Sequence, residues 1–172
     1  GAIANGLLVH GGFIPYAATF LVFSDYARGS IRVAALSKMG VVWVLTHDSI
    51  AVGEDGPTHQ PIEHVMSLRI IPNLVVLRPG DANEVSEAWK YAINNRENPV
   101  ALILSRQNLT TLDRKLYKSA KGLSKGAYIL YETQAGLPDI ILMATGSELS
   151  LALEAGKKLE KQGRNVRIVS FP

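Results

Sequence analysis

Val41-Val42-Trp43-Val44-Leu45, followed without a break by Thr46-His47-Asp48-Ser49-Ile50-Ala51-Val52-Gly53-Glu54-Asp55-Gly56-Pro57-Thr58-His59-Gln60-Pro61, is the stretch whose reading decides the fold. A continuous apolar run is the pattern of a strand covered on both faces, as in a parallel sheet; a half-exposed strand would alternate. The polar residues begin where such a strand would end. In open α/β sheets that carboxyl edge is where ligands bind, so two histidines and three carboxylates leaving the strand together read as an active-site edge. Gly56-Pro57 turns the chain, and Pro61 suits the first turn of a helix over Ile62 to Arg69.

Outward from this stretch, apolar runs alternate with amphipathic ones. A helix over Ala2 to His10 stops at Gly11-Gly12, and Phe13 to Thr19 is extended. Leu21 to Lys38 places Phe23, Ala27, Ile31, Ala34 and Ala35 at helical spacing. Leu74 to Leu77 reads as a short strand, Asp81 caps a helix over Ala82 to Asn94, and Val100 to Leu104 is another buried strand. The pattern predicts an α/β fold with a doubly wound, mainly parallel sheet. From Thr110 to Lys125 the apolar period is lost and polar residues crowd together, which marks a domain boundary. Strands over Gly126 to Tyr131, Asp139 to Ala144 and Val166 to Val169, with a helix over Glu148 to Gln162, then form the start of a second α/β domain. The expected division is 1–112 for the first domain, with its amino-terminal part missing, 113–137 for a linker and 138–172 for the second.

The 172 residues, 47% of them apolar, can bury one full core and part of another. A formal charge of +3 mildly favours anionic ligands, and no Lys/Arg cluster reaches the density of a nucleic-acid footprint. Absence of cysteine removes disulfide and thiolate chemistry. No apolar stretch reaches the roughly 18 residues of a membrane span, and no signal peptide is visible, so a soluble cytoplasmic protein without a membrane or nucleic-acid partner is the expectation. Both ends read as cut: there is no initiator methionine, and Val166 to Phe171 is a strand with nothing after it. A piece of a longer polypeptide is expected.

Several residues invite a chemical reading beside a structural one. Phe20, Phe23 and Tyr26 are spaced by threes and can form an apolar cup with a polar rim, or simply be core aromatics. His47 and Arg106 both follow apolar strands, which puts two cations on one sheet edge suited to an anion. Asp55 and His59 flank a Gly-Pro-Thr turn that can aim both into one cavity, although Asp before Gly is also a common turn former. Asp48 is left unassigned and Glu54 is read as supporting the loop. Metal binding by His47, Asp55 and His59 has no short ligand spacing behind it. His10 and His64 are read as solvated or capping, and Thr145-Gly146-Ser147-Glu148 as a capping box.

The run Gly53-Glu54-Asp55-Gly56-Pro57-Thr58-His59-Gln60-Pro61 resembles the signature loop of the pyrimidine-binding domain of transketolases, and the likeness extends through Gly11-Gly12-Phe13 to Phe20 and Leu104-Ser105-Arg106-Gln107-Asn108. The resemblance implies the thiamine diphosphate-binding fold, pyrimidine module, followed by part of the carboxyl-terminal domain. It implies transfer of a two-carbon ketol unit from a ketose phosphate to an aldose phosphate, as in the pentose phosphate pathway, by a cytoplasmic homodimer. Phe23 would stack on the aminopyrimidine of thiamine diphosphate, with Phe20 and Tyr26 lining the pocket. His47 and Arg106 would contact the substrate phosphate, Asp55 a substrate hydroxyl, and His59 the donor's first hydroxyl near the reacting carbon, as the catalytic residue carried by this chain. Mg2+ or another divalent cation, with the diphosphate, would be bound by an amino-terminal domain absent here, and the activating glutamate would lie upstream of Gly1. The partners implied are sugar phosphates, that amino-terminal domain and a second transketolase subunit; the isolated chain is expected to be inactive. The alternatives are a deoxyxylulose-phosphate synthase, a dihydroxyacetone synthase, or a non-catalytic or split-subunit pyrimidine domain.

Overall fold

The apolar run emerges as β2 (Val42–Thr46), with its first four residues buried on both faces. It sits inside a four-stranded sheet in a computed structural model that describes all residues from Gly1 to Pro172. β1 (Tyr16–Phe20), β2, β3 (Val75–Leu77) and β4 (Val100–Ile103) are all parallel, in the order β1-β2-β4-β3. The register pairs Phe20 with Thr46 and Leu45 with Ile103, so β1, β2 and β4 end at the same level. That alignment brings the residues after three separate strands to one carboxyl edge.

Helices cover the sheet because parallel strands need crossovers. They are α1 (Ala2–His10), α2 (Ser24–Leu36), α3 (His64–Arg69) and α4 (Ala82–Asn94). Ile31, Ala34 and Ala35 of α2 and Leu68 of α3 pack with Trp43, Leu45, Ala101 and Ile103 in one core cluster. The helix expected over 21–38 opens as a 3-10 turn at Leu21–Phe23 before α2 begins. His64, expected to be solvated or capping, is instead 4% exposed and its Nε2 lies 3.2 Å from Asp25 Oδ2. A partner 39 residues away, on another helix, explains why local pattern missed its burial.

The chain divides into two compact units: Gly1–Leu77 with Trp89–Asn108, and Arg78–Ala88 with Leu109–Pro172. The second holds β5 (Tyr128–Glu132), β6 (Ile140–Ala144), α5 (Glu148–Lys161) and β7 (Val166–Ser170). Its sheet runs β5-β7-β6, with β6 parallel and β5 antiparallel to β7. Leu149 and Leu153 of α5 pack on Leu130, Val166 and Ile168. The stretch 113–137, expected as linker, therefore contributes β5 to this sheet, as well as the 3-10 segment Ala120–Lys125.

Within the second unit lies a buried polar network. Glu84, 0% exposed, accepts hydrogen bonds from Gly80 N (2.8 Å), Tyr128 OH (2.6 Å) and Ser170 Oγ (2.6 Å). Three donors are what a carboxylate needs to be tolerated out of water. Burial, and next the Glu84 carboxylate, push the Tyr128 phenol well above its ordinary range. Asp81 caps α4 through Glu84 N at 2.9 Å and also receives Arg114 Nη2 at 2.6 Å. The expected capping box at α5 is not formed: Ser147 makes no side-chain cap bond, and Glu148 is held by the Arg78 guanidinium on both carboxylate oxygens. Partial burial pushes the Glu148 carboxyl up, but Arg78's hydrogen bonds and charge, helped by Ser147, outweigh it and hold the group below the usual carboxylate range.

Candidate active site

β1 ends at Phe20, and the chain then tightens into Leu21–Phe23 before entering α2. This turn sets the Phe20 and Phe23 rings nearly parallel, centroids 5.9 Å apart and planes 9° apart. Tyr26 follows on α2, its ring 5.9 Å from Phe23, and at 87% exposure it forms the rim rather than the wall. The three aromatics thus make a row along the strand-to-helix junction.

At the end of β2 the chain turns at His47, which adopts a left-handed backbone (φ 62). Histidine is among the few non-glycine residues that visit this region with some frequency. His47 stacks on Phe20, with centroids 3.7 Å apart, and its Nδ1 lies 3.0 Å from Thr46 Oγ1. The loop beyond holds short 3-10 segments, Ile50–Asp55, which is kinked, and Pro57–His59, the first opened by Ser49 Oγ accepting from Ala51 N. Its folding returns His59 to the aromatic row, edge-on to Phe23 at 5.2 Å and to Phe20 at 5.9 Å. Thr58 Oγ1 pairs with His59 Nδ1 at 2.7 Å, leaving Nε2 as the free ring nitrogen for a ligand.

Asp55 sits between two cationic or potentially cationic groups. Its Oδ2 is 3.8 Å from His47 Nε2 and 3.8 Å from Arg106 Nε. Arg106 reaches this point from the turn after β4, where Ser105 Oγ donates to Gln107 O at 3.0 Å. Six residues from three sheet segments, Phe20, Phe23, His47, Asp55, His59 and Arg106, are therefore linked by ring contacts and charge pairs. Thr46 and Gly53 belong to the same cluster; Thr46 carries no catalytic signature in the sequence, and Gly53 stands at the head of the signature run without any sign there that its absent side chain leaves room for Arg106. His47, Asp55 and His59 do not converge as a metal set. The one group of three whose ligand atoms lie within 4.8 Å of one another is Asp25, Glu63 and His64, which joins α2 to the start of α3. No helix is long and apolar enough to cross a membrane.

Residues 1–111 match the family profile "Transketolase, pyrimidine binding domain", and residues 126–172 match "Transketolase-like TK C-terminal domain". The chain belongs to the transketolase family. It is 52% identical over 171 residues to a transketolase of Aquifex aeolicus and 53% identical over 173 residues to a chloroplastic transketolase of Zea mays, covering 99% of this chain and 25% of each relative. Among solved structures, transketolase from Leishmania mexicana superposes with a TM-score of 0.92 at 47% identity, covering 99% of this chain and 25% of that one. A Pichia stipitis transketolase in complex with sedoheptulose 7-phosphate superposes at 0.91 with 49% identity over the same shares. A chain described as a split gene transketolase, inactive beta4 tetramer, gives 0.76 at 29% identity, with 98% of this chain and 52% of that one covered. The chain thus spans about a quarter of the length of the transketolases that it matches at about half identity. The first transketolase profile runs through 78–88, a segment that packs with the second unit.

Proposed function

We propose that this chain supplies the pyrimidine-binding half of a transketolase site, acting in transfer of a two-carbon ketol unit from a ketose phosphate to an aldose phosphate. The observation that carries this reading is the convergence of an aromatic row, two imidazoles, a carboxylate and a guanidinium at one sheet edge. A planar heteroaromatic ring fits that row, because Phe20 and Phe23 lie nearly parallel and only partly buried. Thiamine diphosphate, when bound, supplies the nucleophilic carbon and the electron sink that no side chain here can provide.

The side chains then divide the remaining work. Phe20, Phe23 and Tyr26 hold the aminopyrimidine by area burial and keep water from its face. His47 and Arg106 grip the substrate phosphate, where a guanidinium fork matches phosphate oxygens. Asp55, between them, takes a hydrogen bond from a substrate hydroxyl and balances their charge. His59 holds or moves a proton at the donor's first hydroxyl through Nε2, its Nδ1 being engaged by Thr58.

The activating glutamate is proposed to come from elsewhere, since no acidic residue precedes Asp25. The diphosphate and Mg2+ or another divalent cation are assigned to an amino-terminal domain, and the working unit to a homodimer in the pentose phosphate pathway. The domain assignment is 1–112 for the pyrimidine module, 113–137 for a connection whose later part already carries β5 of the second sheet, and 138–172 for the start of the carboxyl-terminal domain proper.

The test is ketol transfer from xylulose 5-phosphate to ribose 5-phosphate by the complete enzyme, with thiamine diphosphate and Mg2+ supplied. Transfer without pyruvate is expected. Activity only with pyruvate would reassign the chain to a deoxyxylulose-phosphate synthase, and strong preference for formaldehyde to a dihydroxyacetone synthase.

A further inference from the structure

The segment Ile50–Asp55 is two 3-10 turns joined across a kink, where Ala51 and Gly53 leave the helical region and only Gly53, with φ 73 and ψ −130, has a positive φ. That backbone is closed to an L side chain. A second constraint acts at the same atom. A Cβ built on Gly53 would lie 3.3 Å from Arg106 Cζ and Nη1 and 3.6 Å from Nη2, so the guanidinium sits tight against the space a side chain would need. The Arg106 side chain is 47% exposed, and its charge contact to Asp55 at 3.8 Å is longer than a hydrogen bond. An ion pair of that kind restrains a long side chain only weakly. The flat glycine surface supplies the missing restraint: one loop provides both the charge, Asp55, and the seat, Gly53.

We infer that Gly53 is a positioning residue that orients the Arg106 fork and thereby sets the preference for phosphorylated over unphosphorylated sugars. The inference rests on the transketolase reading of Arg106. Arginine exceeds lysine at phosphate because its donors are fixed in a plane, and that advantage exists only if the plane is aimed. A methyl group at 53 would displace the guanidinium by a few tenths of an ångström, a fraction of the ~1 Å misplacement that can cost about a hundredfold in a site whose contribution is geometry. Gly56 offers an internal control: its φ is 78, yet nothing lies within 4 Å of a Cβ built there. Substitution at 56 therefore imposes backbone strain without touching Arg106.

The test compares kcat/KM for xylulose 5-phosphate with that for hydroxypyruvate, an unphosphorylated ketol donor, in the complete enzyme. Gly53→Ala is expected to lower the ratio about tenfold, Gly56→Ala to leave it unchanged, and Gly53→Ala to have no further effect on it in an Arg106→Ala background. Arg106→Lys, which leaves the glycine in place, should lose most of the ratio even where Gly53→Ala fails to fold. If Arg106→Ala leaves the ratio intact, the phosphate reading fails and the inference with it. If Arg106→Ala lowers the ratio while Gly53→Ala behaves like Gly56→Ala, or Arg106→Lys keeps it, the inference alone is overturned.

Discussion

His47 lies flat on Phe20, with ring centroids 3.7 Å apart and planes inclined by 20°. One aromatic ring therefore supports two functions in the proposed site: its neighbour Phe23 faces the cofactor ring, while Phe20 itself also orients an imidazole assigned to phosphate.

Phe20 and Phe23 should separate on substitution. Phe23→Ala is expected to weaken thiamine diphosphate binding by about tenfold or more, since an aromatic pair adds ~0.5–1.5 kcal/mol beyond its buried area, with little change in sugar-phosphate KM once cofactor is saturating. Phe20→Ala should impair both. Calorimetric titration of cofactor beside steady-state kinetics distinguishes them, and unchanged cofactor affinity in Phe23→Ala would count against the stacking role.

Asp55→Asn keeps the shape and removes the charge between His47 Nε2 and Arg106 Nε. The proposed bond from a substrate hydroxyl to the Asp55 carboxylate is a charged hydrogen bond, a kind that contributes about 1.5–3 kcal/mol, so kcat/KM should fall about ten- to a hundredfold. Asp55 is exposed, and thermal stability should change by less than about 0.5 kcal/mol. A large loss of stability with unchanged kinetics would make Asp55 a structural loop residue.

Tyr128→Phe removes a donor to the fully buried Glu84 and an acceptor for Arg114. Leaving a buried polar group short of a partner costs about 1–3 kcal/mol, measurable by urea unfolding of the 172-residue chain. Wild-type stability in the variant would show that the network is not needed to hold the second unit.

The lowered Glu148 carboxyl fixes the sign of one pH effect. A folded value below the unfolded one, about 4.3, contributes stability that is fully present above that pH and is lost as pH falls through the folded value. Glu148→Gln should flatten this acid limb, modestly, because the side chain is 48% exposed. An unaltered acid limb in the variant would assign the loss to other carboxylates.

The parallel α/β class was legible because β2 and β4 are apolar on both faces, a pattern written into consecutive residues. The loop motif likewise singled out Asp55 and His59, which the structure brings beside Arg106 and Phe23. What escaped the sequence depends on distant partners. His64 meets Asp25 from 39 positions away, and the fate of Glu148 needs Arg78, 70 positions away. The left-handed turn at His47 is a property of the strand end, and the antiparallel pairing of β5 with β7 depends on a strand that follows α5. Tyr26 shares the expected aromatic spacing, yet only geometry reveals it as a rim residue.

The segment Arg78–Ala88 makes the second unit discontinuous in the chain. It carries Arg78, Asp81 and Glu84, the partners of Glu148, Arg114, Tyr128 and Ser170, although it precedes β4 of the first sheet in the chain. A protease cut or gene fusion placed near residue 109 would deliver β5, β6, α5 and β7 stripped of the acids and the guanidinium they were built around. Recombination between relatives at that seam would mix partners from different lineages, so shuffling this second unit as an independent module requires exchanging two stretches of sequence together.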